Sequence, residues 1–220
     1  MTGKPIGILI VDDYAVVRQG LRALIDTAPD MQVIGEAADG LTAVHQAKQL
    51  QPDVIIMDLV LPRLGGIEAI TAIRQQDAQM RVLVLTNFGD EPRVLAALRA
   101  GAQGYLLKDA VLTDVITAIR EVYAGKLTLH PSINHVLMRA MQQMPEVEGK
   151  TAVIPTLTNR EQDVLQLVAK GYPNQTIADH LQIDERTVRI HVSHILQKLS
   201  LENRTQAALY ALRHGYATLE

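Results

Sequence analysis

The stretch Ile6-Gly-Ile-Leu-Ile-Val11-Asp12-Asp13 decides the fold. Six residues pass with no polar alternation, which a strand with one face in water would show. A strand covered on both faces reads this way, and such strands belong to parallel sheets flanked by helices. The two acids that follow stand where an open parallel sheet presents side chains to a ligand.

The same pattern recurs down the first 125 residues. Short apolar runs fall at 31–36, Val54–Met57, 81–86 and 104–108, and VIIM and VLVL are nearly continuous in aliphatic side chains. Amphipathic segments near 14–28, 40–50, 66–76, 90–100 and 113–124 lie between and after them, punctuated by Pro29, Pro52, Gly65-Gly66, Gly89 and Gly101. Five strand–helix units in this order predict an open, doubly wound α/β domain over 1–125.

The strand ends then specify the chemistry. Asp12 and Asp13 end the first run, Asp58 follows the third, Thr86 ends the fourth and Lys108 the fifth. The second ends in Glu36-Ala37-Ala38 and offers no comparable set. A strand order of 2-1-3-4-5 accounts for the omission, because it sends strand two to the edge and gathers the other four ends at the switch point. Three carboxylates gathered there repel one another, so either some are protonated or a cation sits among them. An all-oxygen set without His or Cys favours Mg2+ over zinc. A lysine and a hydroxyl facing the same point supply the positive charge and the donor that phosphoryl transfer requires, and an aspartate can itself be the nucleophile.

Composition narrows the alternatives. The 220 residues are 48% hydrophobic and 20% charged, which excludes disordered and fibrous classes. No window approaches the roughly 18 apolar residues of a membrane helix, so no membrane association is expected. The absence of cysteine excludes disulfides and thiolate chemistry and suits a reducing, cytoplasmic setting. Aromatic residues make up 3%, too few for the ring-stacking loops of a flavin domain. A phosphohydrolase working through an aspartyl phosphate needs a second acid two residues after the nucleophile, and Val60 stands there. Turnover of exogenous phosphoesters is therefore not expected, and the chain is not read as an enzyme.

Residues 126–155 break the rhythm with Pro131, Pro145, Gly149 and Pro155. Ile133, Val136, Leu137, Ala140, Met141 and Met144 recur at helical spacing inside this stretch, which reads as a linker carrying one amphipathic helix or, alternatively, a dimer seam. From Leu157 onward every segment is helical. Thr158 with Glu161 forms a capping-box pattern opening 161–170, and Gly171 is a stop. Asn174, Asp184 and Asn203 are candidate caps for 175–181, 185–199 and 204–214. Four closely spaced helices predict a compact all-α domain over 156–220.

Net charge is −3, and 156–220 holds 7 Lys/Arg against 7 Asp/Glu, so any nucleic-acid case must rest on a local patch. The third helix of this domain supplies one. Val188, Val192, Ile195 and Leu199 form a core stripe, while Arg186, Ile190, Ser193 and His194 lie opposite with Arg189 and His191 on the flanks. No acid occurs from Arg186 to Lys198. Arginine can pair with guanine edges and an aliphatic side chain can meet a thymine methyl, so this face suits a major groove. Asn174, Gln175 and Thr176 open the preceding helix, whose backbone N–H groups can meet phosphates.

Two resemblances follow from these residues. Asp12-Asp13, Asp58, Thr86 and Lys108, with Tyr105 three residues before the lysine, resemble the receiver domain of bacterial two-component response regulators. The resemblance implies that Asp58 takes a phosphoryl group from a histidine kinase. It implies that Asp13 and Asp58 bind Mg2+ directly, assisted by the carbonyl of Val60 and by Asp12 through water. Thr86 and Lys108 would grip the phosphoryl oxygens, and Tyr105 would turn inward when Thr86 moves. Many members have proline after the lysine; here Asp109 stands there, which leaves the isomer of that peptide open.

The segments Leu157-Thr-Asn-Arg-Glu161, Gly171-Tyr-Pro-Asn174, Thr187-Val-Arg-Ile-His191 and Asn203-Arg-Thr-Gln-Ala207 resemble the LuxR/NarL (FixJ) type of helix-turn-helix. That implies a recognition helix at 185–199, with Thr187 and Lys198 added to the DNA-facing set. It also implies a dimerising last helix, represented by Arg204, Ala208 and Leu212. Ser193 occupies a position that is often basic in this type, which implies weaker intrinsic affinity or a different base preference, and more reliance on a dimer. The whole chain is expected to be a phosphorylation-controlled regulator that pairs as a homodimer when phosphorylated and binds promoter half-sites in double-stranded DNA.

Overall fold

A computed structural model describes residues 4–133, 157–201 and 203–216. The receiver region runs β1 (Ile6–Val11), α1 (Ala15–Ile25), β2 (Met31–Ala37), α2 (Gly40–Leu50), β3 (Val54–Met57), α3 (Gly66–Gln76), β4 (Val82–Thr86), α4 (Glu91–Ala100), β5 (Gly104–Leu107), α5 (Leu112–Tyr123) and β6 (Thr128–Leu129). All pairings are parallel and the order is β2-β1-β3-β4-β5-β6, the expected order with one strand added.

The uniform apolar runs have the expected cause. Leu9, Val11, Ile55, Met57, Val82 and Val84 lie in one core with α2, α3 and α4 residues such as Ala43, Ile70 and Leu98. Their neighbours Ile8, Ile10, Val54, Ile56, Leu83 and Leu85 lie in the other, with Leu21 and Ile25 of α1 and Ile119 and Val122 of α5. Alternate side chains thus enter opposite cores, and both sets are buried.

Strand β6 corrects the reading of 126–155 as linker from its first residue. Thr128 and Leu129 pair with Gly104 and Tyr105, so the sheet extends past 125. Two residues are too few to display a period, which is why the strand was not legible. Ile133 is buried in the first core, and the remainder of the expected linker helix lies outside the described residues.

The C-terminal region contains, among the described residues, α6 (Asn159–Ala169), α7 (Asn174–Leu181), α8 (Glu185–Lys198) and α9 (Arg204–Arg213). Val164, Leu165, Ile177, Val188, Ile195 and Ala211 form their core. The Thr158–Glu161 capping box is complete, Asp184 accepts the Thr187 N–H, Asn203 accepts the Gln206 N–H, and Gly171 takes a φ of 75° just past α6. One cap differs. Pro173 is the N-cap of α7, and Asn174 is the first helical residue, its side-chain oxygen bound to Arg204.

The two regions touch where α9 starts. Asn203 Nδ2 and Gln206 Nε2 donate to the Arg99 carbonyl at 3.2 and 3.1 Å, and Thr205 Oγ1 donates to the Ala102 carbonyl at 3.1 Å. Arg99 lies in the last turn of α4, where carbonyls run out of intrahelical partners. Leu127 packs against the cores of both regions.

Candidate phosphoryl and nucleic-acid sites

Strand ends bring Asp12, Asp13 and Asp58 together with ligand oxygens within 4.8 Å of one another. Asp12 and Asp58 are buried and Asp13 is exposed, which leaves the cluster an open side. Lys108 reaches in from the end of β5. Its Nζ is 2.6 Å from Asp12 Oδ2 and 2.7 Å from Asp58 Oδ2. Burial opposes the charge on this amine, but the hydrogen bonds and charges of both carboxylates outweigh it, and its pKa is raised.

Backbone groups orient the acids. Asp58 Oδ1 accepts the Leu59 N–H at 2.6 Å, and Asp12 Oδ1 accepts the Tyr14 N–H at 2.9 Å. Arg18 on α1 donates to the carbonyls of Asp12 and Asp13 at 2.7 and 3.3 Å and pairs with Glu36 at 3.2 Å. Arg18 was missed in the sequence; the available signal was a basic residue one helical turn beyond two acids. Gly66 admits α3 to this corner, since a Cβ there would sit 2.1 Å from the Asp58 carbonyl oxygen.

Thr86 Oγ1 is fully buried and has no hydrogen-bond partner among the described residues. A buried hydroxyl without a partner is costly, and such orphans mark functional positions. The donor set fits a hard divalent cation: oxygen only, three carboxylates, and the exposed Val60 segment at the same mouth.

Tyr105 corrects one expectation. Its ring is already inside, fully buried in the first core, and its hydroxyl donates to the Phe88 carbonyl at 2.6 Å. Apolar packing and a satisfied hydroxyl hold the ring there, and burial pushes the phenol pKa up. Among the described residues all peptide bonds are trans, Lys108–Asp109 included.

The face of α8 opposite its core stripe is open. Arg186, Arg189, Ser193 and His194 are exposed, and Ile190 is 47% exposed, large for an isoleucine. Several expected DNA contacts are otherwise engaged. Lys198 Nζ lies 2.7 Å from Glu161 Oε2 in the α6 capping box, so its charge is drawn away from any phosphate. Burial alone would raise the Glu161 pKa, but Lys198 and the N–H and hydroxyl of Thr158 bring it down to about 2. Arg189 Nη2 pairs with Glu185 at 2.5 Å, Thr187 caps against Asp184, and Gln175 bonds Asp179 at 3.1 Å. Thr176 is half-buried.

The residues expected to dimerise are packed within this chain. Arg204 is turned inward, donating to Asn174 Oδ1 at 2.7 Å and to the Tyr172 carbonyl, and burial lowers its pKa to about 10. Ala208 is buried and Leu212 packs half-buried on the helical core, so this arrangement presents neither Arg204 nor Ala208 to a partner.

With both sites drawn, the chain can be compared with known proteins. Residues 8–120 match the response regulator receiver domain, and residues 155–211 match the bacterial regulatory proteins of the luxR family. The chain belongs to the LuxR-type response regulators. It is 38% identical over 210 residues to the response regulator protein VraR of Staphylococcus epidermidis, covering 96% of this chain and 98% of that protein. Identity to VraR of Staphylococcus aureus is 39% over the same span and coverage. Among solved structures, the response regulator ChrA of a heme-sensing two-component system aligns with a TM-score of 0.53 at 33% identity, covering 97% of this chain and all of that one. A LuxR-family regulator from Aurantimonas aligns at 0.61 and 36%, covering 64% of this chain and all of that one. A structure of two RcsB dimers bound to two parallel DNAs aligns at 0.57 and 26%, covering 95% and 98%. This response regulator is thus a phosphorylation-controlled transcription regulator joining a receiver to a helix-turn-helix domain. No helix among its described residues is long and apolar enough to cross a membrane.

Proposed function

We propose that Asp58 is the phosphoryl acceptor of this regulator, and that a cognate sensor histidine kinase is the donor. One observation carries the reading: Lys108 Nζ bridges Asp12 and Asp58, and the Lys108 N–H bonds the carbonyl of Thr86, whose hydroxyl has no partner among the described residues. In the transfer, a bond forms from an Asp58 carboxylate oxygen to phosphorus as the N–P bond of the kinase phosphohistidine breaks. The Leu59 N–H fixes the plane of the nucleophile. Lys108 supplies positive charge to the transferred group, and Thr86 offers its free donor to a phosphoryl oxygen. Asp13 and Asp58, with Asp12 and the Val60 carbonyl assisting, would hold Mg2+, which supplies neutralisation of the charge brought in. The receiver acts on no other substrate and catalyses its own modification only.

On the effector side, Arg186, Arg189, Ile190, Ser193 and His194 read the major groove of promoter half-sites, and the start of α7 meets the backbone. An effector with balanced charge binds one half-site weakly, so a homodimer formed on phosphorylation supplies the affinity. The working division is receiver 1–125 extended by β6, linker to 155 and effector 156–220, in a protein of the cytoplasm. The test is intact-mass measurement after acetyl phosphate plus Mg2+, followed by a salt-titrated DNA-binding assay. Wild type gains one phosphoryl group and binds more tightly; Asp58→Asn does neither. An Asp58→Asn chain that still gains the mass refutes the assignment.

A further inference from the structure

The first turn of α9 carries four consecutive side chains with divided loyalties. Asn203, Thr205 and Gln206 donate to carbonyls at the end of α4 and the entry to β5, in the receiver. Arg204, between them, turns the other way and brackets the start of α7 through Asn174 and the Tyr172 carbonyl. The receiver carbonyl held by Thr205 belongs to Ala102, two residues before β5, and β5 leads directly to Lys108. Beside it the side-chain oxygen of Gln103 is buried without a hydrogen-bond partner among the described residues. An unmet acceptor weakens a contact, and opening would hydrate it.

We infer that Arg204 is a positioning residue: the turn 203–206 registers the place of the α4–β5 corner and, through the Arg204 bracket, sets the start of α7 for its contact with the DNA backbone. The inference rests on the function proposed above and adds its route between sites. Four strand residues separate the clasp from Lys108, so a shift of β5 on phosphoryl binding is delivered at Ala102 without an intermediary. The bracket converts that shift into a change at Tyr172–Asn174, because one guanidinium holds both acceptors. The reading face of α8 is open in this structure, so the coupling acts on helix placement and not on occlusion.

The test uses the full chain and a duplex carrying the two half-sites enriched from a random-sequence library by the phosphorylated wild type. The readouts are the ratio of Kd without and with acetyl phosphate plus Mg2+, phosphoryl uptake by intact mass, and amide hydrogen exchange at residues 174–177. The double variant Thr205→Val, Gln206→Ala should keep full uptake. Its Kd ratio should fall about tenfold, the effect of losing two hydrogen bonds. Arg204→Lys, which keeps the charge but not the two-pronged reach, should lower the ratio similarly. Phosphoryl uptake should change exchange at 174–177 in wild type and should no longer do so in either variant; a wild type that takes up phosphoryl with no such change also overturns the inference. If Arg204→Lys melts early, Asn174→Ala cuts the same bracket from its other end and should give the same loss. A ratio that stays at the wild-type value in either class, or an exchange response that persists, overturns the inference. Failure of the wild type itself to gain mass or bind DNA overturns the functional reading, and the inference with it, before any variant is compared.

Discussion

The receiver pocket and the DNA-reading face solve opposite problems with the same kinds of residue. In the pocket, Asp12, Asp58, Thr86 and Lys108 come from four strands separated by up to about half the chain, and burial makes each partner matter. On α8, Arg186, Ile190, Ser193 and His194 come from a single helix and stand in water, where charges are screened. The pocket is therefore preorganised and intolerant, while the reading face is adaptable and weak residue by residue. Substitutions should show that asymmetry, with losses falling from complete in the pocket to slight on the helix.

The largest effect is expected at the nucleophile, where Asp58→Asn abolishes phosphoryl uptake by intact mass. Lys108→Ala should slow uptake from acetyl phosphate by about a hundredfold, as expected for removing a buried donor from the transferring group. A rate within threefold of wild type would show that the pocket is no more preorganised than the helix. Gly66→Ala drives a methyl against the Asp58 carbonyl, and overpacking of that kind costs about 1–3 kcal/mol, readable in the denaturant midpoint of the receiver.

The effector holds a buried carboxylate of its own, and it sharpens the contrast. Glu161 is held at about 2, below its ordinary 4.5, so its ion pair stabilises the fold fully above 4.5 and is lost as pH falls towards 2. Acid denaturation followed by helix circular dichroism should show that slope in wild type and a flatter one in Lys198→Ala. The smallest effect belongs to the open face. Ile190→Ala should lose discrimination between thymine and uracil at one base of the half-site, by roughly 1 kcal/mol or less in competition binding. A loss as large as that of Lys108→Ala would erase the distinction between the two regions.

Legibility followed the same divide. Strand runs, helix bounds and caps are local, so 40–50 and 66–76 were readable to the residue, and the capping box at Thr158 and Glu161 was readable from spacing. The carboxylate pocket was readable because strand order converts position in the chain into position in space. The failures were of another kind. Lys198 and Asn174 looked free for DNA because their partners, Glu161 and Arg204, lie about 30 residues or more away in sequence. Arg204 and Ala208 looked like surface, and Tyr105 looked mobile, for the same reason.

The amino-acid order by itself determined two domains, a parallel sheet and the acids at its tips, since periodicity and capping operate over a few residues. Only tertiary packing decided which cations are spent inside the molecule, that Tyr105 is already buried, and that the α9 turn grips the receiver. Those outcomes depend on distant groups competing for the same donors and acceptors, and desolvation settles that competition only once the chain has closed on itself.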